Sequence, residues 1–147
     1  MIKFGGHCIE LDTTEGQTKV RIKDKSGNSI LLRSESGKER IFLKDKAGNM
    51  FVLDSTSGKN RIVVQDKAGS FIILDAELGD MTLTAINNLT LTCGQNLYVA
   101  CGQNMESEIG ANSTTNIAGN RVNVTGGADN RTSSGNMTDT APSINHT

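Results

Sequence analysis

A chain of 147 residues with a formal net charge of −1 is long enough for a core of its own, and its near-neutral balance points away from nucleic acid and from anionic lipid. Its make-up excludes an ordinary globule: no Trp, one Tyr and 3% aromatic residues leave out the side chains that fill most cores, and 16 Gly with one Pro suit many turns between paired strands. No apolar run is long enough to span a bilayer, the start "MIKFGGHCIELD" lacks the apolar segment of a signal peptide, and Cys8, Cys93 and Cys101 form no CxxC pair, which reads as free thiols in a reducing compartment.

From the N-terminus the chain repeats itself. "DKSGNSILL" begins at Asp24, "DKAGNMFVL" at Asp45 and "DKAGSFIIL" at Asp66, a period of 21 residues. A phrase at constant spacing is an architectural unit. Gly16, Gly37, Gly58 and Gly79 fall on this register, as do Gly27, Gly48 and Gly69. Val20, Ile41, Ile62 and Leu83 occupy one equivalent position; Ile22, Leu43 and Val64 lie two further on. Ile30, Phe51 and Ile72 align in the second half of the unit, then Leu32, Leu53 and Leu74. Each unit therefore reads strand, Gly turn, strand, Gly turn, with apolar residues two apart on one buried face. Asp-Lys before the turn suits an Asx-type start with an exposed Lys. A helical period is absent, and a Gly about every ten residues would break a helix.

Residues 1–77 hold 13 of the 15 Lys and Arg and 11 of the 16 Asp and Glu; the remainder is rich in Asn, Thr, Ser and Gly. After residue 80 the period shortens to eight: "MTLTAINN", "LTLTCGQN", "LYVACGQN", "MESEIGAN", "STTNIAGN", then "RVNVTGGA" at 121–128. Asn88, Asn96, Asn104, Asn112 and Asn120 share a column, and Gly94, Gly102 and Gly110 another. Each octad reads as a strand of about five residues and a turn. One such strand offers two or three apolar residues, such as Leu89, Leu91 and Cys93, and cannot close a core alone. Three chains, each giving one side of a triangular tube, would cover that face. The scarcity of aromatics fits a narrow axis where three copies of every inward side chain meet.

These Gly-punctuated octads after "DKAGN" units resemble the C-terminal β-helix of contractile injection spikes: the valine–glycine-repeat (VgrG) proteins of type VI secretion systems and the central spikes of contractile phage tails. "GHCIELDTTEGQTKVRIKDKSGNSILL" resembles the segment that leaves that family's OB-fold and enters the helix, and the likeness covers about residues 5–128. The expected fold is all-β, an intertwined homotrimeric triple-stranded β-helix (β-prism). It divides into a charged shaft of 21-residue units over 1–80, an octad β-helix over 81–128 and a polar tail or tip-proximal cap over 129–147. The resemblance implies a structural spike shaft that punctures a target membrane. Its implied partners are itself, a PAAR-type tip protein at the C-terminal end, upstream hub domains and a tail tube. It also implies the bacterial cytoplasm before firing and secretion or injection afterwards. The alternative is a trimeric tail-fibre or adhesin stalk presenting a binding head. The family's hub and OB-fold are absent from this sequence, which reads as a fragment or a shaft alone. Some phage spikes end in a His-x-His iron site; His7 and His146 do not form that pair, so no metal is carried over.

No catalytic, cofactor or metal residue is expected. Cys93 and Cys101 share an octad column and read as small apolar packing groups rather than a soft-metal site. Glu106 and Glu108 alternate on one strand without a nucleophile or His beside them, so the expectation is not an enzyme. The sequons at Asn88, Asn112, Asn123, Asn130, Asn136 and Asn145 follow from Asn- and Thr-rich composition, and the Asn column serves turns. The Lys/Arg strips at 19–25, 38–46 and 59–67 alternate with acids and lack stacking aromatics, which reads as a solvated outer face and not a nucleic-acid site.

Overall fold

The computed structural model describes residues 1–136. Nine strands form one antiparallel sheet in which every neighbour is consecutive in the chain: β1 Ile2–Phe4, β2 His7–Asp12, β3 Lys19–Lys23, β4 Ser29–Arg33, β5 Arg40–Lys44, β6 Met50–Asp54, β7 Arg61–Gln65, β8 Phe71–Asp75 and β9 Asp80–Thr84. The described residues are all-β, with no helix, and the sheet does not close on itself. The 21-residue unit is thus a five-residue strand, a five-residue turn, a second five-residue strand and a six-residue turn.

The turns explain the glycines. Gly27, Gly48 and Gly69 sit at φ of 101–104°, and Gly16, Gly37, Gly58 and Gly79 at 72–77°. Both values lie where a Cβ clashes with the following carbonyl. The two turn types stand at opposite ends of the strands, so the sheet has two chemically distinct rims.

The phrase "DKxGN" builds one rim. The Asp45 carboxylate accepts from the backbone N–H groups of Gly48 (2.8 Å) and Asn49 (2.9 Å) and from Asn49 Nδ2 (2.6 Å). Asp24 and Asn28 repeat this, as does Asp66 with the backbone of Ala68, Gly69 and Ser70. The Asn then reaches the next unit. Asn28 Oδ1 accepts from Lys46 N–H (2.8 Å) and Asn49 Oδ1 from Lys67 N–H (2.9 Å). At the third turn Ser70 Oγ takes the same role toward Ile86 N–H (3.3 Å). At the other rim, backbone bonds such as Ser55 N–H to Glu39 O (3.1 Å) link turn to turn.

The structure adds to or departs from the expectations at four points. First, within one chain each strand of β1–β9 pairs with its neighbour in sequence. A five-residue turn lets a strand fold back on its own predecessor, the shortest route to a paired backbone. Second, Leu83 does not continue the column of Val20, Ile41 and Ile62. It pairs with Ile72, and Met81 pairs with Leu74, because the β8–β9 turn has four residues rather than six. Losing two residues shifts position along the strand but preserves the face, since the side-chain period is two. Third, no strand follows Thr84 among the described residues, so in that range the octads form no ladder with another part of the chain. Fourth, the second face of the sheet is not uniformly polar. Its central column runs Glu10, Arg21, Leu31, Phe42, Val52, Val63, Ile73, Thr82, apolar from β4 to β8.

Contacts divide the chain into two compact units, Met1–Leu97 and Tyr98–Thr147. Along the octads the backbone bends at 86–87, 94–95, 102–103, 110–111, 118–119, 126–127 and 134–135. The eight-residue spacing holds at every step and continues past residue 128.

Candidate functional site

The surface that calls for a function is one face of the sheet. Register places Leu11, Val20, Leu32, Ile41, Leu53, Ile62, Leu74 and Met81 in one column across β2–β9. Ile9, Ile22, Ile30, Leu43, Phe51, Val64, Ile72 and Leu83 form the column two residues along each strand. Residues two apart point to the same side, so these sixteen apolar side chains share one face. Every Asp, Glu, Lys and Arg within the nine strands lies on the other.

That apolar face is uncovered. Most of its residues keep 38–46% of their surface, and no hydrophobic residue among the described residues is buried. Among the described residues the only buried ones are polar, Asp54 and Thr56. Sixteen side chains at this exposure leave on the order of 1,000 Å² of contiguous apolar area, against about 300–600 Å² for the largest patch on an ordinary monomer. Two open grooves follow the two columns. Ile41, Leu53, Ile62, Leu74 and Met81 line one, rimmed by Asp54, Arg61, Asp75 and Asp80. Ile22, Ile30, Leu43, Phe51 and Val64 line the other, rimmed by the Asp and Asn of the "DKxGN" turns.

The opposite face carries the ion pairs. Lys19 Nζ lies 3.2 Å from Asp12 Oδ2 and 3.6 Å from Glu10 Oε1, and Arg21 reaches Glu10 Oε2 at 2.6 Å. Arg40 lies 3.8 Å from the buried Asp54. Hydrogen bonds from Thr14, with Lys19 adding its own, hold the Asp12 carboxyl down at about 2. Asp24 and Asp45 are lowered chiefly by the side chains of Asn28 and Asn49. Burial pushes Asp54 up, but hydrogen bonds from Thr56 and the charges of Arg40 and Arg61 outweigh it, and the net direction is down. These carboxylates are turn and rim fasteners, each committed to named donors.

The singled-out residues do not converge. Cys8 is half-buried on the charged face, across from Lys3 and Lys23, and Cys93 and Cys101 are exposed. His7, Glu106 and Glu108 are exposed, as are Asn88, Asn112, Asn123, Asn130 and Asn136. His146 and Asn145 lie outside the described residues. Among the described residues no group of three or more His, Cys, Asp or Glu could hold a metal ion. Sequence reasoning missed the Asn28 and Asn49 links between units, although Asn recurring at the fifth place of "DKxGN" was their signal. It also missed the apolar second column, whose signal was consecutive apolar runs such as "FIIL" and "MFVL", which a sheet with one polar face would not contain. No known family model matches the chain, and no curated protein matches its sequence.

Proposed function

We propose that the chain is the shaft of a trimeric puncturing spike, three copies of which close their apolar faces on one another. The observation that carries this reading is the sixteen-residue apolar face in a chain with no buried hydrophobic residue among the described residues. A sheet with one wholly apolar face must bury it. A cyclic assembly brings one rim of each copy against the different rim of the next, which suits a sheet with two distinct rims. Over β1–β9 each chain would supply one complete wall, fastened by its own ladders and packed on its neighbours by side chains alone. Over the octads no ladder forms among the described residues, so their backbone partners would be the other two copies, and there the chains would interwind.

Such a shaft works mechanically, with no chemical step. Axial load would pass along ladders of backbone bonds and through the apolar columns between them. The spike role, the tip protein, the hub and the target membrane come from the likeness of the "DKAGN" units and Gly-punctuated octads to VgrG and phage spike shafts. Light scattering tests the assembly: a particle of about three times 15.7 kDa is expected, and a stable monomer ends the proposal. Deleting 113–147 in the native system tests the role. Loss of tip-protein capture and of secretion is expected for a spike; loss of receptor binding with secretion intact would make the molecule a fibre stalk instead.

A further inference from the structure

We propose that Arg33 anchors a docking site on the charged face for an acidic segment of another protein. The site goes beyond the spike reading and does not need it, because it lies on the face that a trimer would leave outside. One outer column of that face runs Asp12, Lys19, Arg33, Arg40, Asp54, Arg61, Asp75 and Asp80 across β2–β9. Position 33 is 21 residues from Asp12 and from Asp54, and Asp75 follows 21 residues later. Three units place an acid here and one places a cation. The acid serves the sheet in two ways. Asp12 pairs with Lys19 and Asp54 with Arg40. Asp12, Asp54 and Asp75 also accept from the backbone N–H two residues on, at Thr14, Thr56 and Glu77. Arg33 forfeits both, since a guanidinium has no acceptor to offer the N–H of Glu35.

Its neighbours make the exchange costlier. Arg33 stands directly opposite Lys19 on β3 and Arg40 on β5, and like charges directly opposite destabilise a sheet. Among the described residues no acid lies within ion-pair distance of Arg33. Arg40 reaches Asp54 only at 3.8 Å, and its Nε, closed off from water, has no hydrogen-bond partner. The other like-charged pair of the column, Asp75 with Asp80, is relieved by Arg61 across from Asp75; Arg33 has a cation on both sides. A residue that costs the sheet stability where the repeat supplies an acid serves a partner outside the sheet. The missing charge is a carboxylate, which a guanidinium binds with two parallel bonds. Leu31 and Phe42 lie beside Arg33 and Arg40 on the same face, with Val52 next to Phe42, so the partner meets apolar surface next to the cations. These three side chains are half-buried. A bilayer takes up protruding apolar groups, and single-stranded nucleic acid needs stacking aromatics, of which this patch has only Phe42. An acidic polypeptide segment carrying apolar residues meets both requirements.

The experiment uses the full chain and a fluorescein-labelled peptide of about twelve residues in which Glu pairs flank single Leu residues, with a counterpart carrying Lys at every Glu. Anisotropy is expected to show binding of the acidic peptide that weakens as salt rises, and none of the basic one. Arg33→Asp restores the pattern of the other units. It is expected to weaken peptide binding about tenfold or more and to raise the urea midpoint by about 0.2–0.5 M, with mass by light scattering unchanged. A fall in the midpoint would show that Arg33 serves the fold, and a change of mass that it serves contact between copies; either overturns the site. Equal peptide binding by the two proteins overturns it as well. So does a wild-type chain that ignores the peptide, including one that binds only phosphatidylserine vesicles or single-stranded DNA. If Arg33→Asp does not fold, Arg33→Gln decides by the same peptide comparison. A monomeric wild-type chain that binds the peptide removes the trimeric reading and keeps the site, whereas a trimer that does not bind it removes only the site.

Discussion

At the scale of single residues, the recurring Asp is the most committed side chain in the molecule. Asp24, Asp45 and Asp66 each close a turn, and Asp12 and Asp54 each anchor the opposite rim. All five titrate below the ordinary carboxylate value in the folded chain, Asp12 at about 2. The sign follows directly. A carboxyl that binds its proton less readily when folded contributes stability that is complete above its unfolded value, about 3.9, and that disappears as pH falls through the folded value. Denaturation midpoints should therefore be flat from neutral pH to about 4 and fall between about pH 4 and pH 2. Replacing Asp24, Asp45 and Asp66 by Asn should lower the midpoint at neutral pH and flatten that acid slope. An unchanged slope in the triple variant would show that the turns do not supply the acid sensitivity.

At the scale of the element, glycines that look alike in the sequence have different duties. Gly48 sits at φ +104°, with the Lys67 Cβ 3.7 Å from where a Cβ would be. Gly102 has no positive φ and nothing within 4 Å of that place. Gly48→Ala should cost about 1–2 kcal/mol for forcing a side chain into the left-handed region, and Gly102→Ala should be near neutral; urea titration of both variants checks the contrast. The contrast also marks what could be read from the sequence. The 21-residue strand–turn units and the apolar columns at Ile22, Leu43 and Val64 were legible, because period two and turn glycines are local properties. The place of Leu83 was not, because it depends on two residues missing from one turn. For the octads no pairing was legible, and among the described residues no ladder forms there. The uncovered apolar face was implied by pattern, but its continuity across eight strands needed the register.

At the scale of the whole molecule, the columns would define the inside and the outside of the proposed assembly, and a charge tests each. Leu43→Asp puts a carboxylate in the apolar column between Ile30 and Phe51, where burial against other copies would cost about several kcal/mol per charge. Lys46 lies in an exposed turn, and the bond of that residue to Asn28 uses its backbone N–H, so Lys46→Asp should be nearly silent. Loss of assembly in the first variant alone is the expected result by light scattering. Equal assembly of the two would reverse the assignment of faces.

Which backbone pairs lie within a chain and which between chains would decide how the three copies of the proposed assembly are put together. Met50 and Gln65 are direct partners on β6 and β7, at the edge of the charged face. With Cys8, Cys93 and Cys101 first replaced by Ser, Met50→Cys together with Gln65→Cys places two thiols opposite each other across a ladder whose Cα atoms lie about 4.5–5.5 Å apart, within the span of a disulfide. If each chain builds its own wall, oxidation closes the bridge within that chain. The denatured protein then runs as a single chain on a non-reducing gel, with faster migration than its reduced form. If β6 instead pairs with β7 of a neighbour, the same oxidation links three chains covalently into one ring of bonds, and the denatured protein runs at the trimer position. The covalent trimer would refute self-contained walls and restore interwinding to the whole shaft. The single-chain product would confine interwinding to the octads, where the extended segments have no ladder of their own.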